Sequence, residues 1–266
     1  MIFETPHLSG KGFTIVSEPM KIFIASIRQS LIVQNSNQVW NLQNFNSVRK
    51  PIVIGIFSSW KRLPRILDLP IKIYDSEYRL PEEVRSIQDL VQNVVNFEHE
   101  INPAIDSYCC YLTTDQGWVE PGETQRRKGC HVDGFQGARI QPKQMINRSY
   151  IVSDRLPTVF YPHPFKTDHL DESIHNFFLD FDRQADESQA WRPDQNEVVL
   201  SDAYMVHRCD VAEKRIFRTF VRVSFDTRRF DRLGNTHNPL FDYNWEMVPR
   251  DIQKTLKEYN ANSKNY

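Results

Sequence analysis

The residues best suited to chemistry lie in the stretch QRRKGCHVDGFQG, residues 125–137. His131 and Asp133 are two apart, with the β-branched Val132 between them. In an extended segment, side chains at i and i+2 point to one face. An imidazole nitrogen and a carboxylate oxygen on one face make two-thirds of a site for a divalent metal. The missing third is a second imidazole, and His207 offers one at the close of the apolar run VVLSDAYMVH, residues 198–207. Two His and one carboxylate with open positions is the facial set of non-haem Fe(II) sites. The competing reading of the same residues is a surface turn, with Asp133-Gly134 as turn residues and His131 beside them.

A second pattern follows at FRTFVRVSF, residues 217–225, a strand by composition. Alternation puts Arg218, Phe220, Arg222 and Ser224 on one face, and Thr219, Val221, Val223 and Phe225 on the other. Two arginines on one face of an apolar strand either stand in water or are buried around an anion. A buried guanidinium needs a partner, and its fork matches a carboxylate.

Taken together, His-x-Asp, a distal His, and an Arg some ten residues beyond resemble the Fe(II)/2-oxoglutarate-dependent dioxygenase superfamily over residues 107–226. The resemblance implies iron held by His131, Asp133 and His207, and a double-stranded β-helix (jelly-roll) core. It also implies a 2-oxoglutarate cosubstrate whose distal carboxylate is held by an Arg after the second His. Arg218, eleven residues past His207, fits the phytanoyl-hydroxylase-like and taurine-dioxygenase-like branches. Arg222 with Ser224 fits the Arg-x-Ser pairing of others, and Arg215 is a third choice. Thr158 sits where the taurine-dioxygenase-like branch often has a Thr on the same carboxylate. The implied reaction consumes O2 and releases succinate and CO2. The carboxylate at position 133, which halogenating relatives lack, favours hydroxylation or a related oxidation, and the substrate is an unidentified small or anionic molecule. Two alternatives stay open: a cupin-like metal-dependent hydrolase or isomerase without 2-oxoglutarate, and a non-catalytic jelly-roll binding module.

Around these motifs, Arg126, Arg127 and Lys128, with Arg228, Arg229 and Arg232, either flank the mouth of a site or form solvated loops. Trp118, Phe135 and Tyr161 are candidate pocket walls or core. His163, His169, His175 and His237 have no assigned role, and Cys130 is small enough to pack behind its strand.

The elements that must position the motifs read as helices first and strands later, an α+β chain that is mainly β. Residues 13–16 predict a strand, and Ser17 caps a helix running to about residue 30. Residues 51–57 and 71–74 predict two more strands, with SSWKRLPRILDLP (58–70) a loop or broken helix between the latter two. PEEVRSIQDLVQNVVNFEHE, residues 81–100, is a helix: Pro81 suits its first turn, and Val84, Ile87, Val91, Val94 and Phe97 or Glu98 make one stripe. Strands then follow at SYCCYLTT, CHVD, GARI, SYIVSD, TVFY, EVVL, YMVH and FRTFVRVSF. Residues 171–186 interrupt them as a short helix or lid-like insertion, and Pro249 opens a final helix. We read one domain over 1–266: an N-terminal α/β flank (1–105), the jelly-roll core (106–226) and a C-terminal extension (227–266).

A length of 266 residues suffices for one sizeable core. Net charge of −1 and a pI near 6.7 advertise neither nucleic-acid nor anionic-membrane binding. No charged leader precedes an apolar run, and no apolar stretch reaches the roughly 20 residues of a membrane span. Cys109, Cys110, Cys130 and Cys209 lack a CxxC spacing and read as reduced thiols of a cytoplasmic protein.

Overall fold

The computed structural model describes residues 41–133, 148–171 and 175–247, together with the backbone of 13–15. The helix expected after Ser17, the GARI strand, Phe135 and the helix expected at Pro249 all lie outside the described residues. Within them the chain is mostly antiparallel β-structure with few helices. Nine strands run in order: β1 (Phe13–Ile15), β2 (Ile52–Phe57), β3 (Ile66–Lys72), β4 (Cys109–Val119), β5 (Arg148–Ser153), β6 (Val159–Phe160), β7 (Glu197–Asp202), β8 (His207–Arg208) and β9 (Ile216–Asp226). Two α-helices accompany them, α1 (Gln88–Ile101) and α2 (Phe177–Gln184). Seven strands form one sheet in the order β1-β2-β7-β5-β9-β4-β3, and β6 pairs with β8 in a second, small sheet. Among the described residues no helix is long and apolar enough to cross a membrane.

β9 is the spine. It pairs along its full length with β4, from Asp226↔Cys109 to Ile216↔Val119, and on its other edge with β5, from Phe225↔Arg148 to Phe220↔Ser153. Its alternation separates two chemistries. Val221, Val223 and Phe225 join Tyr150, Val152, Val198 and Leu200 in the main core, which packs on Leu90, Val91, Val94 and Ile101 of α1. Phe220 faces the other way, with Ile151, Val199, Phe160 and Met205. Each such side chain, fully buried, contributes roughly 1.5–3 kcal/mol.

The 81–100 stretch is helical but tighter at its start: Glu82–Ile87 wind as a 3-10 turn before α1. Its apolar stripe is buried as the spacing predicts. Glu98, at the end of that stripe, is fully buried too, because Arg148 of β5 meets it there. Tyr150 and Asn102 donate to the same carboxylate at 2.7 and 2.9 Å.

Three local expectations are corrected. The proline-bearing segment 58–70 is loop only as far as residue 65: β3 begins at Ile66 and includes Pro70, where the sequence predicts loop or broken helix. Pro70 is tolerated because β3 is an edge strand with irregular register. CHVD is not a strand, since His131 makes one isolated bridge and Asp133 lies in a bend. And His207 opens a strand rather than closing one, because β7 stops at Asp202 and a turn intervenes.

Candidate metal centre

One backbone pairing sets the two imidazoles side by side. His131 N–H donates to the His207 carbonyl and His207 N–H to the His131 carbonyl, both at 2.9 Å. Their ring centroids are 4.6 Å apart. Asp133, two residues on, completes a trio in which one ligand atom from each residue lies within 4.8 Å of the others. Chain segments more than seventy residues apart therefore meet through a single antiparallel bridge.

The hydrogen bonds around the trio fix what each group offers. His131 Nδ1 lies 2.9 Å from the Gly129 carbonyl, and His207 Nδ1 lies 2.9 Å from the Met205 carbonyl. A carbonyl can only accept, so each Nδ1 carries the proton and each Nε2 is left with its lone pair. Backbone carbonyls commonly hold metal-ligating histidines in this way. Burial, reinforced by the neighbouring His207, pulls His131 down to about 3, so it is neutral at physiological pH. Burial alone would raise Asp133, but the Arg222 guanidinium outweighs it and holds the carboxyl well below the usual carboxylate range. Asp133 Oδ1 accepts from Arg222 Nη1. Asp133 Oδ2 is buried and makes no hydrogen bond of normal geometry among the described residues, with the Ser149 hydroxyl as a nearby donor that also favours the ionised carboxyl. Such an orphan costs about 1–3 kcal/mol unless something else takes the lone pair. Two bare imidazole nitrogens and one orphaned carboxylate oxygen fit a divalent metal bound on one face.

The two arginines of β9 differ. Arg222 is committed to acids: besides Asp133, its Nη2 donates to Asp68 Oδ1 at 2.8 Å, leaving a buried Nε with no partner among the described residues. Asp68 reaches it from an irregular stretch of β3, where its φ is +47°. Arg218 is 1% exposed and bonded to neutral groups: the carbonyls of Arg155 and Leu156 at 3.2 and 2.9 Å, Ser153 Oγ at 2.9 Å, and Gln125 Oε1. Burial lowers its pKa. Arg126 and Arg218 both lie over the Phe220 ring, at 5.0 and 5.1 Å.

The remaining sequence candidates divide. Thr158 is buried two residues past Leu156, whose carbonyl holds Arg218. Ser224 is tied to Ser149 of β5 at 3.0 Å. Arg215 lies away from the site: it is exposed, paired with Glu120 at 2.9 Å and stacked on Trp118, which is itself exposed. Tyr161 is buried core whose hydroxyl bonds Glu187 and Arg208. Cys130 does pack behind its segment, its thiol pushed up to about 12 by burial. Of the basic loops, Arg228 folds back on Asp226 at 2.6 Å. Arg127 stacks at 4.5 Å on Phe178 of α2, and that ring meets His131 edge-on at 6.0 Å.

Sequence reasoning missed Asp68, Gln125, Ser153 and Asp182. Gln125 opens the very stretch that carries His131 and Asp133, but its partner Arg218 is 93 residues away, and the other three act across similar separations from segments with no local signal.

No family model and no curated protein matches the chain. Among solved structures, it is similar to IDO from Bacillus thuringiensis at 10% identity, covering 81% of this chain and 90% of that one, with a TM-score of 0.33. It is also similar to EvdMO1 at 12% identity, covering 81% of this chain and 47% of that one, again with a TM-score of 0.33. Likenesses this distant carry no argument about activity.

Proposed function

We propose that the protein is an Fe(II)- and 2-oxoglutarate-dependent oxygenase that hydroxylates a C–H bond. The observation that carries the reading is the donor set: two Nε2 lone pairs and one orphaned carboxylate oxygen gathered within 4.8 Å. That set is the one facial Fe(II) sites use. Iron and the oxo acid, when bound, supply the oxidising chemistry, consuming O2 and releasing succinate and CO2.

The chain's own residues do the rest. His131, Asp133 and His207 hold the metal, and Arg222 fixes the Asp133 carboxylate while keeping it ionised. Arg218, with Thr158 close by in sequence to its carbonyl partners, seats the distal carboxylate. What supports Arg218 over Arg222 is charge: Arg222 already has two acids, whereas Arg218 is buried among neutral acceptors. Phe220, Ile151 and Val199 give that side of the sheet a dry wall. Arg127, exposed and without an ion pair among the described residues, favours an anionic group on the primary substrate. In this reading the large sheet and the β6–β8 pair are the two halves of a double-stranded β-helix within one domain. The four cysteines, buried and free, agree with a reducing cytoplasm.

The test is anaerobic addition of Fe(II) and then 2-oxoglutarate, followed by admission of air with mixed metabolite pools. A weak visible charge-transfer band and succinate formation, both absent from His207→Ala, are the expected results. Metal binding without either band or succinate would instead support the cupin-like hydrolase or isomerase. Unchanged metal content in His131→Ala would leave a binding module.

A further inference from the structure

A single peptide group connects helix α2 to the first metal-ligand candidate. The Gly129 carbonyl accepts from His131 Nδ1 at 2.9 Å, and the N–H of that same peptide unit, on Cys130, donates to Asp182 Oδ1 at 2.6 Å. Asp182, on α2, thus grips the peptide from one side while His131 grips it from the other. We infer that Asp182 is a positioning residue for the metal centre, acting through the Gly129–Cys130 peptide to fix the rotation and tautomer of His131. This inference rests on the reading of His131 as a metal ligand.

Three features argue for a built contact. Gly129 takes a φ of +85°, and a Cβ placed there would stand 2.6 Å from Asp182 Oδ2. The backbone conformation there favours glycine, and any side chain would push the Asp182 carboxylate from its place. The same helix sends Phe178 to the edge of the His131 ring, so α2 touches the imidazole directly and through the peptide. Finally, the other imidazole lacks the device: His207 Nδ1 meets the carbonyl of Met205, whose peptide partner N–H belongs to Val206 and is bonded by no acid among the described residues. The two histidines are alike in their immediate partner and different one step further out.

A carboxylate accepting from a peptide N–H polarises the whole amide and makes its carbonyl a stronger acceptor. Asp182 is exposed, so water screens its charge, and orientation outweighs polarisation. Outer partners of metal-binding histidines are worth about 10–100-fold in metal affinity, and an exposed one belongs at the lower end.

The experiment uses Co(II) as the probe, titrated by visible absorbance into the full chain and its Asp182→Ala, Asp182→Asn, His131→Ala and His207→Ala variants. The exchangeable Nδ1–H resonances of the Co(II)-loaded proteins are then recorded by NMR. We expect Asp182→Ala to weaken Co(II) about 10-fold and to displace the His131 Nδ1–H resonance while that of His207 stays in place. Asp182→Asn, whose amide oxygen still accepts from Cys130, recovers most of the affinity. Wild-type affinity with both resonances unmoved in Asp182→Ala overturns the inference, as does joint movement of both, which would mean that α2 merely loosens the fold. Should Asp182→Ala not fold, Asp182→Leu, which likewise cannot accept from the Cys130 N–H, decides by the same two readouts. If His131→Ala and His207→Ala bind Co(II) like wild type, the metal centre itself is wrong and the inference falls with it. Loss of binding there, with Asp182→Ala unaffected, removes only the role of Asp182.

Discussion

The two faces of the large sheet treat buried charge in opposite ways. On the α1 face, Glu98 and Arg148 close on each other: Arg148 Nε and Nη2 reach the carboxylate at 2.8 and 2.5 Å, and Tyr150 and Asn102 fill its remaining acceptor positions. On the opposite face, Arg218 is buried among neutral acceptors, and among the described residues Asp133 keeps an orphan oxygen and Arg222 an orphan N–H. A closed pair of that kind binds an element to the sheet, here helix α1 to β5, the strand after residues 134–147. In the proposed function, the open set takes a charge from outside. Burial of charge alone thus says little about function, whereas the incompleteness of its bonding says much.

Breaking each set should give opposite signatures. The largest effect belongs to the open face: His207→Ala should abolish stoichiometric Co(II) or Fe(II) binding while leaving the thermal melt of the metal-free protein within a few degrees, read by metal analysis and circular dichroism. Next, Glu98→Ala strands Arg148 in the core and should cost about 3–5 kcal/mol of stability in urea unfolding. The fraction that remains folded should bind metal as before, and a loss of metal affinity in that fraction would erase the distinction between the faces.

Arg218→Met is the sharpest comparison. On the proposed function, it should weaken 2-oxoglutarate by about 2–5 kcal/mol, read as a rise in its KM or Kd, with a far smaller change in unfolding free energy than Glu98→Ala. If stability falls as much as in Glu98→Ala, Arg218 is a structural cation like Arg148.

The smallest effect lies at the rim. The Tyr161 hydroxyl, opposed by slight desolvation and helped by Arg208, holds Glu187 down to about 2. A depressed carboxyl contributes stability above its unfolded value near 4.5 and loses it as pH falls through the folded one. Wild type should therefore lose stability relative to Glu187→Gln between about pH 4.5 and 2, by less than about 1 kcal/mol because the group is largely solvated.

Much of this was readable from residues alone, for physical reasons. The helix at 81–100 and the division of β9 into an apolar and an arginine-bearing face follow from periodicity, a property of neighbours in the chain. The trio His131, Asp133 and His207 was readable as residue types able to share a metal. Its local structure was not: CHVD reads as a strand, but among the described residues it has one bridging partner, His207, and forms no ladder. Pro70 read as a breaker because a sequence does not announce which strand will be an edge.

The sequence by itself determined the donor types, the His-x-Asp spacing and the alternation that aligns Arg218 with Arg222. Only the tertiary structure decided that Arg222 is spoken for by Asp68 and Asp133 while Arg218 is not, and that a carboxylate on α2 holds the peptide behind His131. Those choices depend on sheet register and on elements between about 50 and 150 residues apart in the chain. Hydrogen bonds act over a few ångströms, and chain separation carries no information about which groups will come that close.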